Sequence, residues 1–162
     1  MTQIVPAPHT LKVDREIQER ITAGFIGNIL SVDLNVHQGS FIDYGEPLHW
    51  RHDRDLSGFN IMQMGIWYEA MMRWVGPASG VTAVTSTNVK SRNNENGDRQ
   101  IITIPDHAEI ICEMASGPIV HMRFSQVTGL APADSVWFFG TEGTLKLDAS
   151  NMTLYGGKRG DQ

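Results

Sequence analysis

The chain has 162 residues, about one domain's worth, and a chain of that length buries roughly two thirds of its unfolded surface. With 41% hydrophobic and 19% charged residues it has the composition of an ordinary globular domain, and its formal net charge of -5 argues against a nucleic-acid footprint, which needs a basic face. Its apolar runs, such as Val136 to Phe139, are too short to span a membrane, and a lone cysteine, Cys112, cannot build an internal disulfide framework.

In chain order, residues 4–10 read as an extended lead-in, because Pro6 and Pro8 disfavour helix around them. Neither a charged nor an apolar leader region precedes them, so a cytoplasmic location is expected, although an export signal on an upstream segment would be lost with that segment. Leu11, Asp14, Ile17, Gln18 and Ile21 then set a helical period, with Val13, Ile17 and Ile21 on one face and Arg15, Glu16, Glu19 and Arg20 on the other. Gly24 is the natural stop. A strand is predicted over 28–38.

Residues 39–59 are rich in Gly, Pro, His, Asp and Arg and read as a long loop, a kind that is usually functional or mobile. A helix follows over 60–75 and stops at Gly76-Pro77. Its apolar residues lie nearly all round, which implies burial on most sides. The rest is β: strands at 81–89, 108–114, 119–126, 136–139 and 144–147, with a polar loop at 92–99 and a last strand at 151–155. Two helices followed by mostly antiparallel strands suggest an α+β domain with helices on one face of the sheet. The other face then needs a cover, for which a partner subunit is a candidate. Cys112 alternates with Ile110 and Met114 and is expected to be buried and inert. The methionines of 61–72 read as core filler.

The segment from Ser57-Gly58 to Gly76, with its Met64-Gly65-Ile66-Trp67 centre, is the most informative stretch. Four others stand in order around it: the Gly24 and Gly27 turn; Trp50-Arg51 with Asp53 and Gly58; Trp74-Val75-Gly76; and Gly140 to Leu147 with Gly143. Together they resemble the C-terminal domain of the glucose-fructose oxidoreductase / inositol dehydrogenase / rhizopine-catabolism (Gfo/Idh/MocA) oxidoreductases, over about residues 5–155. The resemblance implies an open-faced sheet domain of the dihydrodipicolinate-reductase-like C-terminal type. It implies one domain over 1–162, serving substrate binding and oligomerisation, with the N-terminal Rossmann domain absent from this sequence. The parent would transfer hydride between NAD or NADP and a sugar or polyol-like compound. The expected partners are that Rossmann domain, a small-molecule substrate and further copies of the chain through the open sheet face, with no nucleic acid and no membrane.

Neither a Gly-x-Gly-x-x-Gly turn nor the family's Glu-Lys-Pro motif is present, so no cofactor is expected on this chain alone. Aligned on Gly65, the family's Asp and His positions hold Gln63 and Trp67, and neither side chain serves as a general acid or base. No catalytic residue is therefore assigned. Glu69 is the nearest titratable group, and pairing with Arg73 at i,i+4 is its favoured role. Arg51, Asn60, Gln63 and Trp67 are the expected substrate-facing positions: Arg51 as a substrate or interdomain contact, Gln63 as a hydrogen-bonding amide, and Trp67 as a stacking platform or plain core. The His49, His52, Asp53 and Asp55 cluster has zinc-type ligand chemistry, but Arg51 and Arg54 within it disfavour a cation, and no metal site is assigned. An internally salt-bridged loop is the simpler reading. His37, His107 and His121 read as surface or interface histidines. A non-catalytic binding or dimerisation module on the same fold is the alternative function.

Overall fold

The computed structural model describes residues 2, 10–59, 61 and 63–161. Helix α1 spans Leu11–Thr22 and buries Val13 and Ile17 in the core, each worth roughly 1.5–3 kcal/mol in apolar burial. Its end is a Schellman turn. The Phe25 N–H donates to the Arg20 carbonyl and the Gly24 N–H to the Ile21 carbonyl, both at 3.0 Å, with Gly24 at φ 71°.

Strand β1 (Ile29–His37) follows, then the long loop, then helix α3 (Met64–Val75) and strands β2 (Ala78–Ser86), β3 (Ser91–Asn93), β4 (Arg99–Ile101), β5 (His107–Met114), β6 (Ile119–Ser125), β7 (Ser135–Gly140), β8 (Gly143–Asp148) and β9 (Thr153–Lys158). Seven of these form one mixed sheet in the order β2-β5-β6-β1-β7-β8-β9, while β3 and β4 make a separate hairpin. The α+β expectation holds: β1 pairs in parallel with β6, and the sheet's other neighbours are antiparallel.

Strand β1, read from sequence as merely the first strand, is the middle of the sheet. It inserts between the two helices in sequence, and its Val32, Leu34 and Val36 alternate inward against Val120, Met122 and Phe124 of β6. Helices α1 and α3 cover that face, with Trp67, Ala70, Met71, Trp74 and Val75 of α3 buried against it.

Several boundaries differ from expectation for local reasons. Helix α3 starts at Met64 rather than at 60, with Gln63 as its N-cap and no side-chain capping bond. Strand β2 starts at Ala78, directly after the Gly76-Pro77 stop, because the Ala115 N–H bonds the Pro77 carbonyl and extends the ladder backwards. The polar 92–99 stretch is a turn inside the β3–β4 hairpin. There the Asn94 side chain accepts from the Asn96 and Asp98 N–H groups. The extended lead-in expected at 4–10 lies outside the described residues except for Thr10.

The Gly27 turn and the β7–β8 hairpin meet in space. The Glu142 N–H donates to the Ile26 carbonyl at 2.9 Å and the Thr141 N–H to the Asn28 carbonyl at 3.0 Å. A Cβ on Gly140 would collide with the Ile26 carbonyl, and one on Gly27 (φ 70°) with the Thr141 hydroxyl. Two motifs more than a hundred residues apart thus carry glycines for one shared close approach. Among the described residues no helix is long and apolar enough to cross a membrane.

Candidate functional site

A cleft of about 470 Å³ opens at the end of the sheet where β1 and β6 finish, a size in the range of small-molecule sites. Gln38 and Gln126 line its floor, Phe41, Asp43, Glu46, His49, Arg51 and His52 come from the long loop, and Arg92 and Asp106 come from the hairpin side.

The loop around His49 is locally self-supporting. A short 3-10 turn, Trp50–His52, is closed by reciprocal histidine bonds: the Arg51 N–H donates to His49 Nδ1 at 3.2 Å, and the His49 N–H donates to His52 Nδ1 at 3.3 Å. Asp53 then caps the one-turn helix α2 (Arg54–Ser57), accepting from the Asp55 and Leu56 N–H groups. Burial pushes the His52 imidazole below its ordinary value, and the positive charge of Arg92 adds to this. A neutral ring suits an Nδ1 that accepts a hydrogen bond.

Among the described residues no ion pair forms within the His49–Asp55 cluster, unlike the salt-bridged loop expected there. Among the described residues Arg51 and Arg54 lie over aromatic rings, 4.2 Å from the Trp50 centroid and 5.4 Å from that of Phe59. Asp53 is occupied by backbone amides, because a cap only two residues away is within reach of a short side chain while the arginines extend outward. No three His, Cys, Asp or Glu side chains converge as metal ligands among the described residues.

The positions expected to face substrate do not all meet. Arg51 lines the cleft. Gln63 is exposed at the start of α3 and is not among the cleft-lining residues. Trp67 is fully buried within the core, so no face of its ring is open to stacking, and its plain-core reading is the one this placement fits. The physical reason is the helix period: Trp67 shares its face with Ala70, Met71 and Trp74, the face that packs on the sheet. Asn60 lies outside the described residues. Glu69 pairs with Arg73 at 2.8 Å, as i,i+4 spacing suggests.

The uncovered sheet face carries a second group of polar residues. Across β5, β6, β1, β7, β8 and β9 one row reads Ile111, His121, Asp33, Trp137, Lys146, Tyr155. Glu109 collects Arg123 Nε at 2.6 Å, His121 Nε2 at 2.8 Å and His107 Nε2 at 3.4 Å. Partial burial pushes the Glu109 carboxyl up, but the bonds from Arg123 and His121 outweigh it and hold the group below its ordinary value. On the other half, Trp137 and Phe139 stack with rings 7° apart and 6.0 Å between centroids, and Lys146 Nζ sits 4.9 Å over Trp137. Sequence alternation places His121 and Arg123 on one face. It does not reveal Glu109, which reaches them only through the β5–β6 register.

The sequence matches the family profile described as "GFO/IDH/MocA C-terminal domain" over residues 15–146. Among curated proteins none matches. Solved structures share the fold. Levoglucosan dehydrogenase in complex with NADH and L-sorbose superposes with a TM-score of 0.81 at 21% identity, covering 96% of this chain and 44% of that one. An NAD binding oxidoreductase from Klebsiella pneumoniae gives 0.85 at 20% identity, over 96% and 43%. The transcriptional regulator Gal80p from Kluyveromyces lactis gives 0.74 at 21% identity, over 94% and 42%. The chain thus spans less than half the length of each.

Proposed function

Because the chain belongs to the GFO/IDH/MocA family through its C-terminal domain, we propose that it is the substrate-binding and oligomerisation half of an NAD(P)-dependent oxidoreductase acting on a sugar or polyol-like compound. The observation that carries this reading is the cleft at the sheet end, where a family-type loop presents Arg51 beside Gln38 and Gln126. Guanidinium and amide groups pair well with clustered hydroxyls. The cofactor's hydride chemistry would belong to a dinucleotide-binding domain, and this half would orient the substrate. Arg51 contacts the substrate, and Gln63, exposed at the start of α3, contacts it or that partner domain. Trp67 packs α3 into the core. The setting is cytoplasmic.

The open sheet face pairs with a second copy of the chain. Exposed Ile111 and the Trp137–Phe139 stack support this, since a sheet face with apolar residues among its charges suits burial against another surface.

The test is saturation-transfer NMR on the chain with a panel of hexoses, anhydrosugars, inositols and linear polyols, alongside NADH. Binding of at least one panel member, weakened tenfold or more by Arg51→Ala, is expected, with no signal from NADH. A panel that fails altogether would sink the substrate reading. Light scattering after size exclusion tests the pairing: a dimer or larger is expected, shifted to monomer by Trp137→Asp. A monomeric parent chain would count against it.

A second reading has its own support. Neither Gln63 nor Trp67 can move a proton at the family's Asp and His positions, and Gal80p, a transcriptional regulator, shares the fold. In that case the domain binds without turnover. A parent reading frame that lacks both Gly-x-Gly-x-x-Gly and Glu-Lys-Pro upstream of Met1 would favour it.

A further inference from the structure

The loop that walls the cleft has few outside attachments. Within residues 40–48, the hydrogen bonds and ion pairs to any distant described segment all run to strand β3. The Leu48 N–H donates to the Asn93 carbonyl at 2.8 Å. The others come from one side chain: Arg92 Nη1 donates to the Asp43 carbonyl at 2.8 Å and the Glu46 carbonyl at 2.7 Å, and Nη2 pairs with the Glu46 carboxylate at 3.2 Å. The Arg92 side chain is only 7% exposed, whereas that of Glu46 is 55% exposed, so the guanidinium is buried largely on backbone carbonyls. Its Nε is also buried and makes no hydrogen bond among the described residues. Removing so hydrated a group from water and leaving one donor unbonded is unfavourable by itself.

Strand β3 is in turn pinned to the main sheet. Asp106, just before β5, accepts from the Asn88 N–H and Nδ2 and from the Val89 N–H, all within 2.9 Å. The Ile102 N–H then closes the hairpin base on the Lys90 carbonyl at 2.9 Å. A continuous chain of bonds therefore runs from the sheet, through Asp106 and the hairpin, to the loop.

We propose that Arg92 is the positioning residue of the cleft, a latch whose buried fork fixes the 43–48 loop on β3 and thereby sets where Arg51, His49 and His52 stand. A guanidinium is needed, because its two Nη groups reach two carbonyls and one carboxylate at once, a spread that a compact lysine ammonium does not match. The arrangement gives Arg92 two separable effects: the fork orders the loop, and its charge acts on His52. Its purpose rests on the cleft being the substrate site, but its existence does not.

Hydrogen exchange and ring titration by NMR on the whole chain, without ligand, separate these effects. Arg92→Gln should speed exchange of the Leu48 amide on the order of tenfold or more while amides of β1 and β6 keep their protection. The His52 titration should move upward in the same variant. Arg92→Lys should return the part of the His52 shift that comes from charge and leave the loop fast. Unchanged loop exchange in Arg92→Gln overturns the latch, as does full rescue of loop protection by Arg92→Lys. If Arg92→Gln does not fold, Glu46→Gln removes only the outer limb. It should raise loop exchange a few-fold with the core unchanged, and no change there overturns the proposal equally. A failed polyol panel would remove the substrate reading and leave each of these results standing.

Discussion

Arg73 of α3 donates from Nε to Oδ2 of Asp14 on α1 at 2.8 Å, and this pair is the inner polar joint between the two helices, beside the outer bond from the Gln18 amide to the Arg73 carbonyl at 2.9 Å. The other Asp14 oxygen accepts from the Trp74 indole at 2.8 Å, while Arg73 also reaches Glu69 and the Thr10 hydroxyl. Asp14→Ala leaves the buried Trp74 indole N–H without its acceptor and takes one of three partners from the partly buried Arg73 guanidinium, so a loss of about 1–3 kcal/mol is expected in urea unfolding. Glu69→Ala removes only the outer, more exposed partner and should cost less than about 0.5 kcal/mol. Equal effects of the two would show that Asp14 is not the joint.

The shared glycine joint predicts an asymmetry among glycines. Gly140→Ala places a methyl group into the Ile26 carbonyl, and Gly27→Ala combines a collision with a left-handed backbone. Each should destabilise by about 1–3 kcal/mol. Gly157→Ala meets open space on the last strand and should stay within about 0.5 kcal/mol of the parent chain. Thermal unfolding of the three variants makes the comparison.

Acid should loosen the cleft loop before the core. The folded His52 lies below its ordinary value of 6.5, so the unfolded loop binds a proton that the folded loop refuses. Stability rises with pH wherever the unfolded state holds more protons. The His52 contribution is therefore complete above about 6.5 and is lost as the pH falls through the lower folded value. Loop amide exchange measured between pH 7 and 5, corrected for intrinsic rates, should accelerate on acidification in the parent chain. In His52→Gln that dependence should flatten.

Cys112 should resist alkylation while the chain is folded. Burial pushes its thiol above the ordinary value, and only the thiolate attacks. Iodoacetamide at pH 8 should leave the native chain unlabelled over a period in which the chain in 6 M guanidinium, roughly a fully unfolding concentration, is labelled completely. Rapid native labelling would show that the β5 strand opens.

Much of the fold was legible because it rests on local periodicity. Val13, Ile17 and Ile21 repeat at the helical interval, and Ala108, Ile110, Cys112 and Met114 alternate as a one-sided strand. The Gly24 and Gly76 stops read correctly because a left-handed turn or a following proline ends a helix in any context. The i,i+4 pair of Glu69 and Arg73 is likewise a property of one helix alone.

Less of the candidate site was legible. Spacing brings Gln63 and Trp67 to one side of a helix, but spacing cannot say whether that side meets water or the sheet. The packing of α3 on the sheet, where Trp74 meets Phe138 of β7 edge to face, decided it, and took Trp67 into the core. Arg92 looked like one charge in a polar loop, yet it forms the loop's buried anchor, because its partners are carbonyls that carry no mark in the sequence.

What the sequence by itself determined is the family, the order of the longer helices and strands, and the inward alternation of strands such as β5, since these follow from residue chemistry repeated at short intervals. Only the tertiary structure decided that β1 lies at the centre of the sheet, that Glu109 gathers two histidines and an arginine, and that the cleft wall hangs on Arg92. Those are meetings between segments far apart in the chain, fixed by register and by backbone groups that every residue shares.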